Sequence, residues 1–265
     1  MDHSTLIILL ECVCVAFGAG LVFGVFGSGS GLIMMPGFYY VLRHFSLASG
    51  HTMQVAVATT AAASAILGLF SSREQYKRGN VDFPSIKRMF PGLFVGTLIA
   101  TSSLGLVPSA WLKDVFGVVV LMVSVWLMTY RSELDNKRWS LQGCFHFFRS
   151  FLIAILWFML GVAVFIVPYL HKCGVDIRRS VGCASFLASS FSAIAAIFFI
   201  ALGAWTVGFS YWQWGYVNGG IFLISLIPSS FAARWGSQIS VRINPNQLKK
   251  IYAILVFVVG LLMIV

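Results

Sequence analysis

The residues best suited to chemistry in this sequence are neutral hydrogen-bond donors inside uncharged, apolar stretches. One group is a run of small residues that interrupts the first apolar segment, formed by Gly27, Ser28, Gly29, Ser30 and Gly31. A second group recurs at spacings that place its members on neighbouring faces of helices, at Gln54, Thr59, Thr60 and Ser64 and then at Ser185 and Ser189. Hydroxyls and exposed backbone amides can hold a small anion and still release it, so these residues are candidates for substrate binding.

The glycine-serine run predicts a break in a helix within the membrane. Clustered glycines followed by Pro36 disfavour a continuous helix, and a broken helix exposes backbone N–H groups at the positive end of its dipole. In hydrocarbon such a break must be buried in protein or face water. Two alternatives stay open, because Ser and Thr also bond their own helix backbone or bridge helices, and glycines four residues apart also allow close helix packing. The sequence has such glycine pairs at Gly20 and Gly24, at Gly27 and Gly31, and at Gly92 and Gly96.

Ionisable residues are rare inside the apolar runs. Glu11 is the one carboxylate well inside such a run, which makes it a candidate proton carrier, or an interfacial residue if the N-terminus reaches the lipid headgroups. Asp82 is expected to cap a helix that begins at Phe83. The histidines and cysteines show no paired spacing typical of metal sites, so we expect neither metal nor cofactor. Because no Ser-His-Asp or Cys-His arrangement can be assembled within the apolar segments, we expect no enzymatic activity.

The elements that carry these residues must be transmembrane helices. The chain is 59% hydrophobic and 10% charged, and uncharged runs such as Cys12 to Leu42 and Ser180 to Ala233 are long enough to cross a bilayer. The polar connections are too short to build a soluble domain. The net charge of +10 does not indicate nucleic-acid binding, because the basic residues gather between apolar segments, as in cytoplasmic loops. The lipid bilayer is therefore the expected partner.

The second half of the chain repeats the first at low similarity. VAVATTAAASA from Val55 matches VGCASFLASSF from Val181, and GNVD from Gly79 matches GYVN from Gly215. This match predicts a single integral membrane domain with three parts: a first repeat over residues 1–130, a cytoplasmic linker over 131–147 and a second repeat over 148–265.

The distribution of Lys and Arg predicts that the two repeats are inverted. In the first repeat the connection after the first element is poor in basic residues and the next connection is rich in them, and in the second repeat this order is reversed. Inversion requires the first element of each half to be broken or re-entrant and to be followed by three transmembrane helices. The sequence thus predicts an all-α polytopic membrane protein with hairpins at about Ser4–Leu42 and Phe145–Leu170. The second hairpin is short, and a single long helix there would favour eight spans in parallel halves. The predicted crossings lie near His51–Ser71, Phe83–Gly105, Leu112–Tyr130, Ile177–Ala204, Gly215–Trp235 and Gln247–Val265.

These motifs resemble those of the sulfite exporter TauE/SafE family over nearly the whole chain. The resemblance is carried by GSGSGLIMMP from Gly27, QVAVATT from Gln54, the basic loop ending in GNVD, and PGLFVGTLIA from Pro91. It implies export of a small anion, such as sulfite or an organosulfonate, across the bacterial inner membrane with coupling to protons. One departure is LWFMLGVAVFIVP from Leu156, which lacks the second glycine-rich turn that the family pattern leads one to expect. We therefore expect an asymmetric site in which the first half supplies the backbone amides.

The function predicted from the sequence is secondary transport of a small anion by alternating access, at a mid-membrane site between the two repeats. A non-transporting accessory or assembly subunit and an anion channel are the alternatives. The expected partners are a small inorganic or organic anion, protons and lipid, in the cell membrane, and a homo-oligomer is compatible with the sequence.

Overall fold

A computed structural model of the chain describes residues 3–26, 29–48, 50–129, 144–160, 165–210, 212–240 and 245–264. Within these ranges the chain forms ten helices and one small β-hairpin. The helices of the first half are α1 (His3–Phe26), α2 (Ser30–His44), α3 (Thr52–Lys77), α4 (Phe83–Leu106) and α5 (Ser109–Thr129). Those of the second half are α6 (Cys144–Leu160), α7 (Ile166–Lys172), α8 (Ile177–Thr206), α9 (Gly219–Ser240) and α10 (Pro245–Ile264), with strands β1 (Gln213–Trp214) and β2 (Val217–Asn218) between α8 and α9.

Several helices have the length and composition of membrane spans. Among the described residues, three segments are long and apolar enough to cross a bilayer alone, at Leu6–Val25, Thr52–Lys77 and Arg178–Thr206. Shorter apolar helical segments occur at Phe145–Phe158 and Ala253–Ile264. The predicted all-α membrane class is therefore confirmed, and a helix lies at each of the predicted crossings.

The residues that precede α4 and α9 cap those helices with their side chains. The Asp82 carboxylate accepts a hydrogen bond from the backbone N–H of Ser85 at 3.3 Å, which confirms its predicted role at the start of α4. The side-chain oxygen of Asn218 accepts one from the backbone N–H of Ile221 at 3.0 Å at the start of α9. Each cap satisfies one of the amide groups that a helix start leaves without a partner inside the helix.

The first element is broken where the glycine-serine run predicts. Helix α1 ends at Phe26 and α2 begins at Ser30, and Gly29 between them has a φ of 105°, a left-handed backbone conformation that glycine adopts at little cost. Gly37 of α2 packs against Val15 of α1, so the two helices form an antiparallel hairpin. Gly27 and Ser28 lie outside the described residues.

The second element also folds back on itself. His146, near the start of α6, forms a hydrogen bond through Nδ1 with the Tyr169 hydroxyl in the middle of α7, and the two rings stack with centroids 5.7 Å apart. A continuous helix would separate residues that are 23 positions apart by about 34 Å. The element is therefore a hairpin and not a single long helix. The predicted linker at 131–147 lies mostly outside the described residues, and α6 already begins at Cys144.

Helices α3 and α8 pack antiparallel through small residues. The Ser189 hydroxyl of α8 donates a hydrogen bond of 2.9 Å to the Ala65 carbonyl of α3, and Ser189 also packs against Gly68. Further along, Gly182 near the start of α8 lies so close to Asn80, beyond the end of α3, that a Cβ there would be 2.1 Å from the Asn80 carbonyl oxygen.

Helices α5 and α10 pack antiparallel as well. Gly117 of α5 lies against Gly260 of α10, and the Ser124 hydroxyl donates a hydrogen bond of 2.9 Å to the Ala253 carbonyl. As residue numbers rise along α5, those of the contacting residues fall along α10.

Two further helix pairs, α1 with α9 and α4 with α6, pack in parallel with glycines at the contact. Gly20 and Gly24 of α1 lie against the backbone of Ser229 and Ala233 of α9, and a Cβ at either glycine would come within 2.2 Å and 2.1 Å of a carbonyl oxygen. Close packing thus accounts for this glycine pair, as one of the two sequence interpretations allowed. The parallel pair α4 and α6 is built in the same way, from Gly92 to Ser150 and from Gly96 to Ala154.

A two-stranded hairpin occupies the connection between α8 and α9, and its second strand takes the first residues of the crossing predicted at Gly215–Trp235. Gln213 pairs with Asn218 and Trp214 with Val217, and the turn between them places Gly215 at a φ of 59°. Gly215 also lies against the backbone of Ile200 in α8. Two-residue strands show no periodicity in a sequence, so hydropathy patterns do not detect them.

Candidate functional site

The start of α2 lies buried in the protein against α3. Ser30, at the first position of α2, is only 2% exposed, and the neighbouring glycines are buried. The Ser30 and Ser64 hydroxyl oxygens lie 2.8 Å apart and share a hydrogen bond. The first N–H groups of α2 have no carbonyl partner inside the helix and no side-chain cap, so this end presents donors and a positive partial charge.

Thr60 adds a buried hydroxyl on the same side of α3. It precedes Ser64 by four residues, which places both side chains on one face of the helix. Thr60 is 5% exposed, and its Oγ1 has no hydrogen-bond partner among the described residues. A buried hydroxyl without a partner is costly, which makes Thr60, one helical turn from Ser64, a candidate to contact a polar ligand or water.

Every group at this site is neutral. The uncharged runs that contain it are Cys12 to Leu42 on α1 and α2 and Thr52 to Ser72 on α3. An anion bound here would be held by amide dipoles and hydroxyls, without an opposing full charge. Within the described ranges, no group of three or more His, Cys, Asp or Glu side chains is placed to hold a metal ion.

Gln54 lies away from this group. Its Nε2 donates a hydrogen bond of 2.6 Å to the Val107 carbonyl, while its buried Oε1 has no partner among the described residues. It precedes Ser64 by ten residues on α3, which corresponds to about 15 Å along the axis. The Gln54 side chain therefore links the start of α3 by a hydrogen bond to the connection between α4 and α5.

Three of the predicted hydroxyls are engaged by backbone groups. The Thr59 Oγ1 accepts a hydrogen bond of 3.0 Å from the Asn218 backbone N–H, and Ser189 donates to the Ala65 carbonyl. The Ser185 hydroxyl donates a hydrogen bond of 3.0 Å to Val181 in its own helix. These contacts match the bridging and self-bonding alternative that the sequence left open.

Glu11 is remote from the start of α2. It precedes Phe26 by fifteen residues of continuous helix, about 22 Å, and lies at the open end of the hairpin beside Arg43 and His44. The structure thus separates the proton-carrier candidate from the amides and hydroxyls.

Sequence reasoning missed two reciprocal contacts between the halves. Asn218 of the second half binds Thr59 of the first, and the backbone N–H of Asp82 in the first half contacts the Cys183 sulfur of the second at 3.2 Å. The signal was present in the match of GNVD with GYVN, whose last residues are Asp82 and Asn218. Each motif lies against the α3 or α8 helix of the opposite half.

Comparisons with known proteins find relatives described as membrane transporters. The chain is 24% identical over 257 residues to the "Probable membrane transporter protein" of Haemophilus influenzae, covering 96% of this chain and 97% of that one. It is also 24% identical over 276 residues to a protein of Methanocaldococcus jannaschii described in the same words, covering 100% of this chain and 98% of the other. No solved structure matches the chain. The profile of the family "Sulfite exporter TauE/SafE" matches residues 12–263. The chain accordingly belongs to the TauE/SafE family, a family of membrane transporters.

Proposed function

We propose that this protein is a secondary transporter that exports a small anion, sulfite or an organosulfonate, by alternating access. The observation that carries the proposal is the buried start of α2 at Ser30, which contacts the Ser64 hydroxyl, with the buried Thr60 hydroxyl one helical turn away on α3. A polytopic protein needs no interrupted helix for stability alone, since each interruption leaves amides that must find other partners. Such interruptions are a recurring way to bind anions in membrane transporters.

In this proposal the amides of Ser30 and Gly31 and the hydroxyls of Thr60 and Ser64 hold the anion's oxygens. Each contact is a neutral donor, so the site binds weakly enough to release its cargo. Gly27 and Ser28 belong to the same predicted run. Because α7 has no glycine-rich start in the sequence, the first half supplies most of the donors.

The alternating motion is proposed to occur between two inverted halves, each with a hairpin and three further helices. An axis in the membrane plane makes equivalent helices run antiparallel, and both α3 with α8 and α5 with α10 do so. The same axis exchanges the pair α1 and α9 for the pair α6 and α4, and both pairs pack in parallel. The hydrogen bond from Ser189 to Ala65 crosses between the halves next to Ser64, so rocking there would open the site to either side.

The test is uptake of labelled sulfite into proteoliposomes, with and without an imposed pH gradient. We expect saturable uptake that depends on the gradient in the unaltered protein and fails in Thr60→Val. The matched control is Thr101→Val, because Thr101 is also buried but its hydroxyl donates a hydrogen bond to the Thr97 carbonyl of its own helix. Equal uptake in both variants would contradict the site, and failure of both would indicate a folding defect.

The same preparation separates the alternative functions. Electrical current without saturable exchange would identify an anion channel, and a well-folded protein that moves no sulfite, sulfonate or thiosulfate would favour an accessory subunit. Coupling to protons is proposed to involve Glu11, so Glu11→Gln should leave uptake insensitive to the pH gradient. The proposed location is the bacterial inner membrane, and a homo-oligomer stays a prediction.

A further inference from the structure

A groove lies at the open end of the α1–α2 hairpin, at the opposite end from the proposed anion site. It has a volume of about 680 Å³. The two helices touch where Gly37 lies against Val15, because a Cβ at Gly37 would come within 2.4 Å of the Val15 side chain. From that contact the groove widens toward Glu11 on α1 and Arg43 and His44 on α2.

The two walls of the groove carry opposite charges that do not neutralise each other. Glu11 is partly buried, whereas Arg43 and His44 are exposed at the last turn of α2. Among the described residues, the ion pairs are Lys77 with Glu74 and Lys113 with Asp114, and neither involves a groove residue. A carboxylate and a guanidinium that share one groove without pairing are complementary to a ligand with both a positive and a negative group.

The surroundings of the groove are apolar and face outward. Leu10 is 66% exposed, Val13 40% and Tyr40 41%, and α1 contains a segment long and apolar enough to span a bilayer. In a bilayer, exposed apolar side chains on such a segment would face lipid chains. The occupant that fits is therefore amphipathic, with a zwitterionic polar end and a hydrocarbon tail.

We propose that this groove binds an aminophospholipid of the phosphatidylethanolamine type. Arg43 and His44 bind the phosphate, Glu11 accepts hydrogen bonds from the primary ammonium, and an acyl chain lies along Val15 and Gly37. A carboxylate prefers a primary ammonium to a quaternary one, because only the primary group donates hydrogen bonds. The proposal does not depend on which solute the protein transports.

The test is native mass spectrometry of the delipidated full chain, mixed with equal amounts of phosphatidylethanolamine, phosphatidylcholine and phosphatidylglycerol with identical acyl chains. We expect phosphatidylethanolamine to be retained in preference to the other two. One charge contact near a membrane surface corresponds to about fivefold in affinity. Glu11→Gln should therefore lower the ratio of bound phosphatidylethanolamine to phosphatidylglycerol about fivefold, and Arg43→Gln should reduce retention of phosphatidylethanolamine itself by a similar factor.

Two further variants make the result decisive. Glu11→Asp keeps the charge and should keep the lipid preference, and Glu74→Gln removes a carboxylate that pairs with Lys77 outside the groove and should change nothing. Equal retention of all three lipids, or an unchanged ratio in Glu11→Gln, would overturn the proposal. A preference of the unaltered protein for phosphatidylglycerol would overturn it too, because it would indicate a simple anion site at Arg43.

Discussion

Two adjacent threonines on α3 should respond in opposite ways to the same isosteric change. Thr59 is fully buried, and its Oγ1 accepts the Asn218 backbone N–H at 3.0 Å, a contact that joins α3 to the start of α9. Thr59→Val leaves that buried N–H without an acceptor, which costs about 1–3 kcal/mol. Interhelical hydrogen bonds in membrane proteins lie at the low end of this range, so we expect about 1 kcal/mol.

Thr60→Val replaces a hydroxyl that has no partner among the described residues. Removing a buried, unpaired polar group relieves a desolvation cost, so the free energy of unfolding should stay the same or rise by up to about 1 kcal/mol. Sulfite transport should nevertheless fall, because that hydroxyl is proposed to hold the anion. The two variants thus separate stability from transport within one helical turn.

The assay combines thermal unfolding in detergent, followed by tryptophan fluorescence, with sulfite uptake into proteoliposomes. At about 2–4 °C per kcal/mol for a chain of this size, Thr59→Val should lower the midpoint by a few degrees and Thr60→Val should not lower it. A Thr60→Val protein as unstable as Thr59→Val would show that its hydroxyl has a structural partner. A stable Thr60→Val protein with full uptake would refute its place in the site.

Three further predictions rest on packing, capping and topology. Gly24→Ala should destabilise the protein by about 1–3 kcal/mol in the same unfolding assay, because the added Cβ would collide with the α9 backbone. Gly18→Ala is the control and should be tolerated, because its Cβ would meet only a side chain at 3.9 Å. Asp82→Ala should cost about 1 kcal/mol through loss of the α4 cap, and Asp82→Asn should retain most of that stability; equal losses would argue against capping. Cys173 should react with a membrane-impermeant maleimide from the cytoplasmic side only. Labelling from outside would contradict the inverted arrangement of the two halves. Because burial raises the pKa of the Cys173 thiol, its thiolate fraction should keep rising with pH beyond the range of an ordinary cysteine, and labelling should accelerate accordingly.

The helices could be predicted because their signals are local. Uncharged runs of about 20 residues give the spans, Asp82 marks a helix start, and the glycines before Ser30 mark the break. For the second element the sequence left a hairpin and a single long helix both open, because the choice between them depends on the contact between His146 and Tyr169. Those two residues are far apart in the chain and show no mutual pattern.

By itself, the sequence determined that the chain is an all-α membrane protein with a broken first helix. Apolar length and clustered glycines are properties of one segment, so their effect does not depend on which other segments pack against it. Only the tertiary structure decided which hydroxyls are engaged. Thr59 and Thr60 are adjacent residues of the same type. The Thr59 hydroxyl accepts a hydrogen bond from the Asn218 backbone N–H, whereas the Thr60 hydroxyl has no partner among the described residues. Adjacent residues point about 100° apart on a helix, so what each one meets depends on how α3 is rotated against its neighbours.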